Sequence, residues 1–100
     1  MKARQTEGLL PGEELVREGL ADLQQERITD NALLVLIAAP RLRALGVNVP
    51  EREFPRPCEH LLYERLEERL GTAAHSYYNS LLRRMVSYAH ALERERSRPK

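Results

Sequence analysis

Cysteine, tryptophan and aspartate are nearly missing from this 100-residue chain, which has one Cys, no Trp and two Asp. With Cys58 as its single thiol it closes no intrachain disulfide, so its stability has to come from packing, and a reducing, cytoplasmic setting is expected. Cys58-x-His60 is one short pair without a second pair to complete a metal-ligand set, so no metal and no cofactor is expected. The Gly-rich phosphate loop, the Ser-centred elbow and the His-Glu-x-x-His helix are absent too, which removes the common signatures of nucleotide binding and hydrolysis. No apolar run exceeds eight residues, against the ~20 of a membrane span, and Met1 to Leu10 carries no apolar signal core. Neither export nor a membrane partner is expected. Net charge is almost missing as well: 16 basic and 15 acidic residues leave +1, so no global field draws the chain to nucleic acid or to an anionic surface.

What is present is apolar pattern. Hydrophobic residues make up 42% and charged residues 31%, the balance of an ordinary folded domain. A chain of this size builds one core, hiding roughly 65% of its unfolded surface. The eight-residue run, Ala32 to Ala39, is its centre. Three Leu and three Ala in the run favour helix, and Thr29, Asp30 and Asn31 can cap the start, Asp30 being read as a cap. A helix apolar on nearly all sides has to be surrounded by other elements.

The remaining elements fall into place around it. Residues 1–10 read as a leader, and a first helix starts at Pro11 with Leu15, Val16, Gly19, Leu20 and Leu23 on one face. Pro40 predicts a kink or break in the central helix, which resumes over Arg41 to Leu45 and stops at Gly46. Val47 to Pro57, with three prolines, reads as an extended crossover pinned by Phe54. Leu62, Leu66 and Leu70 mark a helix starting near Pro57, and Gly71-Thr72 looks like a stop followed by a new cap, although one kinked helix also satisfies the pattern. From Ala73 to Arg96 a last helix would span ~36 Å. The expectation is an all-α bundle of about four helices over residues 11–96, with a polar tail, Glu93 to Lys100, that frays.

Tyr78, Leu81, Met85, Tyr88 and Leu92 step by three, four, three and four along the last helix, the spacing of a coiled-coil seam. With Tyr77 they form a candidate interface for a second copy or another protein, because aromatics and Met are enriched in interface cores. A polar edge of the same helix, His75, Asn79, Arg83 and His90, could bind an anion or supply an acid and a base. Glu64, Glu67 and Glu68, interleaved with Arg65 and Arg69, read as a solvated charged face.

Arg84 and His90, five residues between them and Tyr77-Tyr78 ahead on the same helix, resemble the motif of HEPN-family proteins, small helical bundles that include RNA-cleaving toxins and partners of nucleotidyltransferases. The likeness runs from about Ala74 to His90. It implies that Arg84 holds a scissile phosphate while His90 moves a proton. Six residues along a helix set the two about 120° apart, so such a site would be built across a dimer. From Gly71 onward six basic residues stand against two acidic ones, a surplus of four that allows weak nucleic-acid contact. A helix-turn-helix is excluded, since the helix following the first turn is the most apolar of all. The reading these observations support is a non-catalytic helical protein working through protein contact along its last helix. A HEPN-like site at Arg84 and His90 and a basic nucleic-acid surface are its alternatives.

Overall fold

The computed structural model describes residues 10–97, all helix, turn and loop. Helix α1 covers Glu13–Gln24, α2 Asp30–Ile37, α3 Ala39–Ala44, α4 Cys58–Leu70 and α5 Ala74–Ser97, with a 3-10 turn at Gly71–Ala73 between the last two. If α2 and α3 are counted as one broken helix, the expected four-helix bundle is what forms. Residues 1–9 of the expected leader and residues 98–100 of the tail lie outside the described residues. Leu10, assigned to the leader, instead packs against the core, and its N–H donates to Glu13 Oε1 at 2.8 Å.

The apolar run is the centre of the molecule. Ala32, Leu33, Leu34 and Val35 are all at 0% exposure, and four consecutive helical residues cover every side of a helix. Thr29 starts α2, its Oγ1 accepting from the Ala32 N–H at 3.1 Å while donating to Asp22 Oδ2 at 2.6 Å. Asp30 is therefore not the cap. It sits in the first turn and accepts from Arg65 Nε at 2.8 Å and Arg69 Nη2 at 2.6 Å, tying α2 to α4. Arg65 and Arg69 thus reach across to a neighbouring helix rather than lacing their own face, and Glu64 pairs with Arg56 of the crossover.

The central break falls at Ala38, the residue that ends α2, and Pro40 occupies the first turn of α3, where a missing N–H costs nothing. At Gly46 the chain leaves α3 with φ +94°. The Val47 N–H bonds the Leu42 carbonyl at 2.9 Å and the Gly46 N–H bonds that of Arg43 at 3.0 Å, the paired bonds of a Schellman stop. Gly71, φ +59°, reverses the chain so that α4 and α5 form an antiparallel hairpin, and Tyr63 packs on Tyr78. Thr72 lies inside the 3-10 turn rather than at a cap. Leu62 and Leu66 are fully buried, but Leu70 is 38% exposed. A four-residue step advances 400°, so the row drifts off the buried face by about 40° each time.

The crossover is held by groups that carry no sequence signature. Val49, 4% exposed, anchors it more deeply than the half-buried Phe54. Arg43 donates from Nε and Nη2 to the Val49 carbonyl at 3.1 and 3.0 Å, and Arg52 Nη2 donates to the Leu23 carbonyl at 3.1 Å. A planar guanidinium with several fixed donors suits such carbonyls better than an ammonium.

Acid should loosen this arrangement. Hydrogen bonds from Thr29 and then Arg27 hold the Asp22 carboxyl below its ordinary range. At Asp30 burial pushes upward, but the bonds from Arg69 and Arg65 outweigh it and the net direction is down. A depressed folded pKa contributes stability that is fully present above the unfolded value, ~3.9, and is lost as pH falls through the folded value. The melting temperature is expected to be flat from about pH 7 to 5 and to fall below about pH 4, with a smaller acid-induced loss in Asp30→Asn; thermal unfolding followed by circular dichroism checks both.

Candidate functional site

The structure divides the candidate residues of α5 between its inner and outer sides. Leu81, Met85, Tyr88 and Leu92 are 3–7% exposed and belong to the domain's own core. Burial raises the Tyr88 hydroxyl above its ordinary pKa, with Glu13 adding to the effect. Tyr78 is half-buried against Tyr63, ring centroids 5.4 Å apart and planes at 83°, and Tyr77 is 45% exposed. The seam spacing is thus filled largely from within the chain.

Beside that seam α5 shows an open flank, on which the helical period sets Asn79, Arg83, Val86 and His90 over Leu82 and Ala89. Val86 is 55% exposed. It lines a groove of about 310 Å³ with Ile37 and Ala38 of the central break, Leu82 and Ala89. The seam spacing does not single out Val86, because its exposure depends on which neighbours cover that flank of α5. Arg41 closes one end of the groove by pairing with Glu93 at 2.8 Å, and α5 runs on to Ser97.

One turn earlier on the same flank, α4 and α5 enclose a wider hollow of about 550 Å³. His75 and Asn79, from the expected anion-binding edge, meet here, Asn79 Nδ2 donating to His75 Nε2 at 3.2 Å. Their surroundings are acidic, since Glu59, Glu64 and Glu67 wall the hollow and, among the described residues, no Lys or Arg lines it. With Glu64 matched by Arg56, Glu59 and Glu67 leave the field in this half of the edge unfavourable to an anion. Arg83 and His90, the other half, are exposed further along α5.

Arg84 and His90 are not brought together. Arg84 Nη2 binds Glu14 Oε2 at 3.1 Å, on the side of α5 facing α1, and a methyl group added at Gly12 would lie 2.7 Å from the Arg84 carbonyl. His90 lies on the open flank, about 120° away around the helix. Cys58 is half-buried, and burial first, then Glu59, raises its thiol pKa, the direction of an unreactive thiol. Among the described residues no group of three or more His, Cys, Asp and Glu is placed to hold a metal ion, and no helix is long and apolar enough to cross a membrane. Comparison with protein-family models, curated proteins and solved structures finds no match to this chain.

Proposed function

We propose that this chain is a non-catalytic helical module whose work is protein–protein association through the open flank of α5. The observation that carries this reading is Val86, more than half exposed in a largely apolar groove walled by Leu82, Met85 and Ala89 of α5 and by Ile37 and Ala38 of the central break. An exposed β-branched residue beside an apolar groove is a natural centre for a contact, with Asn79, Arg83 and His90 on its polar side. Tyr77 is the one residue of the sequence-derived interface that remains widely exposed. A photo-crosslinking side chain placed at Val86 in cells is expected to yield protein adducts well above those from the same group at Glu51, an exposed crossover position. Equal yields at the two positions would remove the reading, and adducts to RNA alone would favour the nucleic-acid alternative.

A further inference from the structure

From the charges along the same flank we infer that the partner seated on α5 is a second copy of this chain, related by a two-fold axis near Val86 with the two α5 helices antiparallel. This rests on the association reading above and goes on to name the occupant. The flank carries opposite charge at its two ends. At the α4 end Glu59 and Glu67 form no ion pair among the described residues, and neither does Arg94 toward the other end. Two other charges beside the groove are already matched within the chain, Glu64 by Arg56 and Glu93 by Arg41. A surface acidic at one end and basic at the other is self-complementary in only one sense. A parallel pair sets like charges side by side, whereas an antiparallel pair matches both ends at once, as a two-fold contact requires.

The register follows from the apolar centre. With the axis at Val86, Arg94 of one copy lies eight residues, about 12 Å, beyond it and comes level with Tyr78 of the other, eight residues before it. Tyr78 and Tyr63 form the aromatic floor of the acidic hollow, so each Arg94 meets two rings and the carboxylates of Glu59 and Glu67. In the middle Val86 meets its own copy, and Leu82 of each chain comes level with His90 of the other. The contact is one helix wide and runs about 29 Å from His75 to Arg94, below the standard interface size, so the dimer should be weak and dissociate in the micromolar range or above.

Sedimentation velocity on the pure full-length chain from about 5 to 500 μM tests this. A monomer–dimer equilibrium that weakens as NaCl rises from about 50 to 500 mM is expected, because the end contacts are ionic. Val86→Glu should weaken it by on the order of tenfold or more while leaving the helical circular dichroism unchanged. The reversed variants Arg94→Glu and Glu59→Arg/Glu67→Arg should each associate more weakly than wild type alone and form a one-to-one complex when mixed. A wild-type chain that stays monomeric throughout, a dimer that strengthens with salt, or reversed variants that fail to pair would each overturn the inference. If the pure chain is monomeric while the crosslinker at Val86 captures a different protein in cells, the association reading survives and the second copy does not; if both fail, both fall.

Discussion

Leu34→Ala is expected to cost about 2–5 kcal/mol, the usual range for deleting most of a buried Leu side chain. Leu34 is at 0% exposure in a helix whose every side is covered, so the surroundings have no solvent-facing route by which to collapse into the vacated space. For a domain of this length each 1 kcal/mol moves the melting temperature by roughly 4–8 °C, so a fall of about 10 °C or more is expected. Leu36→Ala, two residues on and only half-buried, should cost clearly less. Denaturant titration of the two variants side by side checks the difference. A Leu34→Ala loss as small as that of Leu36→Ala would mean that α2 is not enclosed around Leu34.

Gly19→Ala is expected to destabilise by about 2 kcal/mol even though Ala is the better helix former by up to about 1 kcal/mol. A methyl group at Gly19 would sit 2.5 Å from the Asn31 carbonyl oxygen and 2.5 Å from Val35 Cγ2. Backbone oxygen cannot rotate aside, so α1 and α2 must separate, and the Asn31 Nδ2 to Glu18 Oε1 bond of 2.9 Å beside the crossing would lengthen with them. The reverse change on the exposed side of the same helix, Ala21→Gly, should cost only its propensity, about 0.5–1 kcal/mol. Thermal melts of both variants decide the matter: a Gly19→Ala protein more stable than wild type would show that the two helices do not cross this closely.

Where a single residue type dictates local backbone, the chain was legible. Pro40 announced the central break and Gly46 the stop after it, because each acts through its own covalent geometry. The row Leu81, Met85, Tyr88 and Leu92 was equally visible as an apolar face. Its neighbour was not, since three-four spacing is the same whether the covering helix belongs to this chain or to another. Asp30 was misread as a cap because its true partners, Arg65 and Arg69, lie 35 and 39 residues away. The hold of Arg43 on the crossover was invisible for a related reason, as a guanidinium donating to backbone carbonyls leaves no pattern in the sequence. Of the candidate edge, the pairing of His75 with Asn79 follows from their four-residue spacing, but the carboxylates around them come from a second helix.

The central claim is that α5 uses its seam for its own core and its flank for contact, and one comparison tests it most directly. Val86→Glu and Tyr88→Ala are measured together for melting temperature and for association by sedimentation velocity. Val86→Glu should melt within a few degrees of wild type and lose association, while Tyr88→Ala, losing a large buried side chain, should lose about 3–5 kcal/mol of stability. A Tyr88→Ala protein that melts like wild type but no longer associates, or a Val86→Glu protein that unfolds, would contradict the account and return the contact to the seam.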